Sequence, residues 1–352
     1  MIGYLGAYTE RCGGRAKGIY SFSFDLETGT VTHLRIAVES VNPEYLAISP
    51  TGKFIYATNE TDEWQGQRTG AVSAFAVDVD GNLSFINQVS SGGRGPCHIV
   101  CAPHFPYVVV SNYIDGSISV LPINADGSLS APVQTICFHG KSVNVERQDA
   151  PHAHCFAFDN TGEKGFACDL GTDSVHSFHF DVHRRLKLLR LKERKDFASN
   201  PGSGPRHMVF HPSKFLAYVV NELNSTVDVL DLLPKETKSF ARKLQTVATL
   251  PKPFIGNTAS AIKLGMDARF LYVSNRGYDS IAVFNIQDNG LLEYVEAFPS
   301  GGRMPRDFAL VGDFLLVCHQ DSDNLVVFRV NGANAEKIGE YKALSCVCIL
   351  IV

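Results

Sequence analysis

One pattern constrains this chain more than any other: a strand-length run of alternating apolar residues, led by small or polar ones, recurs seven times. It reads GIYSFSFD from Gly18, GAVSAFAVD from Gly70, GSISVLPIN from Gly116, DSVHSFHFD from Asp173, STVDVLDL from Ser225, DSIAVFNI from Asp279 and DNLVVFRV from Asp323. Successive starts lie 52, 46, 57, 52, 54 and 44 residues apart. Spacing of that size accommodates one four-stranded antiparallel sheet per repeat, the unit of a β-propeller blade.

The other strands fit around this marker. Ahead of it stands a hairpin ending in a polar residue: Tyr45 to Asn59, His98 to Asn112, His154 to Asp169, His207 to Asn221, Ala261 to Asn275 and Asp307 to His319. After it comes a turn, as at Thr28-Gly29, Asp80-Gly81 and Asp126-Gly127, and then a further strand. Such dipeptides suit tight reversals between antiparallel strands. The first marker has only Ile2 to Ala7 ahead of it, so its missing strand is expected from Ser345 to Val352. A blade stitched from both ends leaves no open sheet edge. The expectation is an all-β, seven-bladed β-propeller of four-stranded antiparallel blades, a single domain over residues 1–352, closed by N- and C-terminal strands in one blade.

Repetition also separates scaffold from chemistry. Pro43, Pro96, Pro151, Pro205 and Pro305 stand at the head of first strands and are assigned to backbone shaping. Asn59, Asn112, Asn221 and Asn275 close second strands, where their side chains are expected to bond local backbone. His211-Pro212 occupies a turn at the opposite end. A strand start and the end of its hairpin partner share one face of a blade, and the unrepeated residues gather there. They are His98, His152, His154, Arg206, His207 and Arg306 at starts, and Glu60, Glu222, Arg276 and His319 at ends. These groups are expected to converge at the mouth of one axial opening. Ser91-Gly92-Gly93-Arg94-Gly95-Pro96, its near copy from Ser300 to Pro305 and Gly202-Ser203-Gly204-Pro205 are glycine-rich. They serve either as tight turns or as rows of N–H groups aimed at an anion. Arg94 and Arg303 beside them carry forks suited to phosphate or carboxylate.

Composition closes off other classes. A net charge of −4 gives no general basic field, so no nucleic-acid partner is expected. Nine scattered cysteines, without a CxxC pair, read as free thiols of a reducing compartment. No signal peptide is evident, and the apolar Cys346 to Val352 is far shorter than the ~20 residues a membrane helix needs. A cytoplasmic protein with no membrane partner is expected. His152 and His154 lack a carboxylate at metal-ligand spacing, so neither a metal nor another cofactor is expected. The oligomeric state is not legible.

At GPRHMVFHP (Gly204 to Pro212) and NELNSTVDV (Asn221 to Val229) the chain resembles the lactonase family of seven-bladed propellers. That family includes the propeller-type 6-phosphogluconolactonases and the fungal carboxy-cis,cis-muconate cyclases. PHAH (Pro151 to His154) and SNR (Ser274 to Arg276) are also similar, and the repeat layout extends the likeness over nearly the whole chain. The resemblance implies that Arg206, Glu222, Arg276 and one of His152 or His154 form the catalytic set. It further implies hydrolysis of an anionic small-molecule lactone, 6-phosphoglucono-1,5-lactone in particular. Lactone opening needs an activated water and a positive group for the developing oxyanion. Glu222 or a PHAH histidine supplies the base in this reading, and Arg206 and Arg276 the positive charge. His207, His98, Arg306, Arg94 and Arg303 are expected to contact substrate. A muconate-type lactonizing cycloisomerase is the enzymatic alternative. A non-catalytic propeller binding a protein partner, with Trp64 as anchor, is the other.

Overall fold

A computed structural model describes residues 1–183, 188–233 and 239–352. It contains seven four-stranded antiparallel sheets, the blade number and strand make-up of a seven-bladed β-propeller. Blade 1 comprises Pro43–Ile48, Phe54–Asn59, Ala71–Val77 and Leu83–Ser90. Blade 2 comprises Pro96–Cys101, Tyr107–Asn112, Ser117–Pro122 and Gln134–Cys137, and blade 3 Ala153–Phe158, Lys164–Asp169, Ser174–His183 and Leu188–Ala198. Blade 4 holds Pro205–Phe210, Leu216–Asn221, Thr226–Leu232 and Ala241–Ala248. Blade 5 holds Thr258–Leu264, Phe270–Arg276, Ser280–Ile286 and Leu292–Pro299, and blade 6 Pro305–Val311, Phe314–His319, Asn324–Asn331 and Asn334–Lys342. In blade 7, Cys346–Ile351 pairs with Ile2–Ala7, followed by Gly18–Phe24 and Val31–Glu39. All six expected hairpins are present, and the two chain ends meet in one sheet. The proline at the head of a first strand is its first residue at Pro43, Pro96, Pro205 and Pro305, a place where a missing N–H is tolerated.

Contacts gather the chain into two compact units. One takes Met1–Asn42, His207–Leu232 and Lys243–Val352, the other Pro43–Arg206 and Leu233–Arg242. In the first, one core cluster packs Phe22, Leu316, Val327 and Ile349 together, and another joins Tyr218, Val229, Leu271 and Phe284. In the second, Tyr56, Val72, Val108 and Leu121 share a cluster. Each cluster lies between neighbouring blades, which explains why the third-strand marker is apolar on both faces: both are covered.

The structure also explains why the marker begins with glycine in some repeats and with Asp or Ser in others. Gly116, Asp173, Ser225, Asp279 and Asp323, the residues just before a third strand, adopt left-handed φ values between 53° and 57°. Glycine enters that region without a Cβ penalty, and short polar side chains tolerate it by bonding locally. Turn glycines do a second job. Gly127 has φ +84°, and a Cβ there would lie 2.2 Å from the Phe54 ring. Its carbonyl accepts from Tyr56 Oη at 3.1 Å, and Tyr218 Oη and Tyr272 Oη bond the Gly290 and Gly332 carbonyls likewise. Burial raises the pKa of all three phenols.

Candidate active site

Two devices recur from blade to blade. In blades 1, 2, 3, 5, 6 and 7 the first strand slips against the second near its start. The skipped residue is Cys97 in blade 2, His154 in blade 3, Arg306 in blade 6 and Val347 in blade 7. In blades 1 and 5 two residues lie within the slip, Glu44-Tyr45 and Ser260-Ala261. A bulge leaves its extra residue outside the ladder and re-aims its side chain, and bulges are frequent beside active sites. Arg206 is the second residue of the blade 4 first strand, the same ordinal place as Cys97 and Arg306.

The second device is the exit of the second strand. Asn59, Asn112, Asp169, Asn221, Asn275 and His319 close the turn with their side chains. Asn59 Oδ1 accepts from Ser73 Oγ at 2.7 Å, Asn221 Nδ2 donates to Thr226 Oγ1 at 3.0 Å, and Asn275 Oδ1 accepts from Thr249 Oγ1 at 2.7 Å. His319 does the same work with its ring, Nδ1 at 3.2 Å from Asn324 O and Nε2 at 3.1 Å from Ser300 Oγ. Burial outweighs these bonds and pushes its pKa down to about 4. His319 is thus part of the scaffold. The residue after this position differs from blade to blade: Glu60, Tyr113, Leu170, Glu222, Arg276 and Gln320, with Tyr8 following Ala7 in blade 7. Tyr8, Tyr113 and Gln320 escape a search of the sequence for charged or imidazole groups. The signal that finds them is simply their place after the closing residue.

In the first unit Glu222 and Arg276 form a buried ion pair, Arg276 Nη2 to Glu222 Oε2 at 2.9 Å, with side chains 3% and 7% exposed. Arg276 Nη2 also donates to Ala259 O at 3.3 Å, while Ala259 N donates to Glu222 O at 3.1 Å. The next residue, Ser260, donates through Oγ to Arg306 O at 2.6 Å. The Arg306 guanidinium lies 5.2 Å over the Tyr8 ring and 3.5 Å from Gln320 Oε1. The expected Glu222, Arg276 and Arg306 are therefore linked in one network, joined by the unexpected Tyr8 and Gln320. Beside it opens a cleft of about 500 Å³, lined by Tyr8, Arg15, Asp279, Arg303, Gln320 and Asp321 among others. Arg303 is exposed there and donates from Nη2 to Asp321 O at 3.1 Å. His207, also of this unit, is buried in its strand.

The second unit gathers imidazoles and aromatic rings. Tyr113 stacks on His152 with ring centroids 4.4 Å apart and planes 12° apart, and meets the His154 ring in a T-shaped arrangement at 5.5 Å. His152 N donates to Asp169 Oδ1 at 2.7 Å, and His152 Nδ1 lies 3.0 Å from Tyr113 O. His154 is buried, with Nδ1 3.9 Å from Cys97 Sγ. His98 lies tilted against Tyr45 at 4.2 Å, and its Nδ1 accepts from Phe156 N at 3.4 Å. Arg206 is buried at 2% exposure. Arg94 spends its fork within its own blade, with Nε and Nη2 each 2.7 Å from Asp115 Oδ1, and that bond raises its pKa.

The glycine-rich loops are turns whose N–H groups are largely taken by the chain itself. Asp173 accepts from Gly202 N and Gly204 N, both at 2.7 Å, and Asp279 accepts from Met304 N at 2.8 Å. Arg94 N donates to Asp115 Oδ2 at 2.8 Å and Arg303 N to Ser322 Oγ at 2.7 Å. Of the two uses open to these loops, tight-turn geometry accounts for the bonds. Trp64, the candidate partner anchor, donates from Nε1 to Gln88 Oε1 at 2.8 Å and so is tied to its own blade.

A sequence profile for the lactonase family of 7-bladed β-propellers matches residues 2–350. A Bacillus subtilis 6-phosphogluconolactonase is 37% identical over 93% of this chain and 90% of its own length. One from Formosa agariphila is 34% identical over 93% and 91%. Among solved structures, a periplasmic gluconolactonase of Pseudomonas aeruginosa superposes with a TM-score of 0.88 at 30% identity, covering 99% of this chain and 98% of that one. With profile, relatives and blade architecture in agreement over nearly every residue, the chain belongs to the lactonase family of seven-bladed β-propellers.

Proposed function

We propose that the protein hydrolyses 6-phosphoglucono-1,5-lactone to 6-phosphogluconate, the lactonase step of the pentose phosphate pathway. Full-length similarity to two proteins named 6-phosphogluconolactonase carries the reading. The buried Glu222–Arg276 pair, linked through Ser260 to Arg306, supports it by supplying the carboxylate and cations that an anionic lactone requires. Glu222, His152 or His154 acts as general base toward water. Arg276 and Arg206 stabilise the oxyanion or hold the substrate's charge. His207, His98, Arg306 and Arg303 contact substrate, while Arg94 contributes least because Asp115 already occupies its fork.

A single domain in the cytoplasm fits the same reading. All nine cysteines are free thiols, as a reducing compartment requires, and among the described residues no helix is long and apolar enough to cross a membrane. Acid release from phosphorylated and unphosphorylated gluconolactone, assayed side by side with uncatalysed hydrolysis subtracted, tests the activity. A strong preference for the phosphorylated lactone is expected. Turnover of a muconate-type substrate with neither lactone opened would replace lactone opening by lactone formation.

A further inference from the structure

We propose that His152 is the group that takes the proton from water, and that Tyr113 is its positioning residue. The inference rests on the lactonase reading and decides among its candidate bases. His152 Nδ1 lies 3.0 Å from the Tyr113 carbonyl oxygen. A carbonyl only accepts, so this bond requires the proton on Nδ1, which leaves the lone pair of the neutral ring on Nε2. Among the described residues, the carboxylate facing Nε2 is Asp149 Oδ1 at 3.7 Å, too far for a hydrogen bond. Nε2 is therefore open to a water molecule, and the side chain keeps 14% of its surface exposed.

Orientation is fixed from three sides. The ring lies flat on Tyr113, His152 N is held by Asp169, and Tyr113 is anchored by Arg147, which donates from Nη2 to its Oη at 3.2 Å. Tyr113 N adds a bond to Gly95 O at 2.8 Å. His154 is placed differently: it is 5% exposed, wedged between the Tyr113 ring and the Cys97 thiol, whose Sγ donates to His154 O at 3.4 Å. Among the described residues, the charged and titratable groups that face His152 or its tyrosine include Asp149, Asp169, Arg147 and His154.

Water oxygen bonds to the lactone carbonyl carbon while one of its protons passes to His152 Nε2. The tetrahedral intermediate collapses, the ring C–O bond breaks, and the proton returns from Nε2 to the departing alkoxide. The products are the hydroxyl and carboxylic acid of the opened chain. Tyr113 touches no reacting atom; it acts through the imidazole.

Two measurements test this. In wild-type protein labelled with ¹⁵N-histidine, the imidazole shifts of His152 are expected to report the Nδ1–H tautomer; an Nε2–H tautomer would overturn the proposal without any variant being made. In the lactone assay, His152→Gln is expected to lower kcat by ~10²–10⁴-fold, with His154→Gln losing at least tenfold less. Tyr113→Leu, which removes the stacked ring and keeps the carbonyl, should lower kcat by roughly tenfold at unchanged KM and displace the acid limb of the kcat profile. The opposite order of the two histidines, or a Tyr113→Leu profile displaced nowhere, would refute the assignment. A wild-type protein inactive on both gluconolactones would instead refute the lactonase reading, with the tautomer still standing.

Discussion

The two units solve the same placement problem with opposite chemistry. In one, the residues after the second strands of blades 4 and 5 are Glu222 and Arg276, and they satisfy each other as ions at 3% and 7% exposure. In the other, the equivalent residue of blade 2 is the neutral Tyr113, which orders two imidazoles by ring contact and a backbone carbonyl. A buried ion pair has fixed partners and a large penalty for losing either one. A stacked imidazole keeps one nitrogen available. Under the proposed function the first cluster serves electrostatic binding and the second proton transfer, although the backbone beneath both is the same.

Breaking the charged cluster should have the largest effect. Glu222→Gln is expected to reduce lactone turnover by ~10²–10³-fold through lost electrostatic organisation, and to destabilise the fold by about 3–5 kcal/mol because one partner of a buried ion pair is removed. Urea unfolding of Glu222→Gln, Arg276→Met and the double variant separates the two effects. The double variant should regain stability and remain inactive; regained activity would show that the pair serves the fold alone.

His319 sharpens the comparison by testing an imidazole that belongs to the scaffold. Its folded pKa of about 4 lies below the ordinary value near 6.5, so the unfolded state binds the proton more tightly. Stability is therefore complete above pH 6.5 and declines as pH falls from there toward 4, by about 3 kcal/mol in all. His319→Asn supplies the residue found at this place in four other blades and should flatten that slope, as urea midpoints across this range would reveal. Asp173→Ala, which strands two loop N–H groups, should cost about 1–3 kcal/mol. Arg94→Ala removes a partly exposed pair and should change the unfolding free energy by no more than about 1 kcal/mol.

The sequence made the blades legible because the buried third strand recurs at near-constant spacing and its flanking turns must use a few residue types. The strand Cys346–Ile351 could be placed by counting alone, since one blade lacked a partner. Glu222 and Arg276 stood out because only one other blade puts a charge at that place, Glu60 of blade 1. Tyr8, Tyr113 and Gln320 stayed hidden because a tyrosine or glutamine in a β-rich chain carries no signal until the register is known. The bulges were equally invisible, since a one-residue slip leaves the apolar alternation on both sides intact. The glycine-rich loops left two uses open, because nothing in SGGRGP or SGGRMP announces that a distant aspartate will occupy its N–H groups.

The sheet that joins Ile2–Ala7 to Cys346–Ile351 carries a kinetic consequence. During synthesis the early strand leaves the ribosome hundreds of residues before its partner exists, so one rim of that sheet stays unpaired until Cys346–Ile351 has been made. Ile2 and Val352 exchange two hydrogen bonds, at 3.2 and 2.9 Å, between residues 350 apart in sequence, and so carry a heavy loop-closure penalty. Refolding from denaturant should therefore lock this seam late, and a nascent chain stalled short of it would present chaperones with an apolar border.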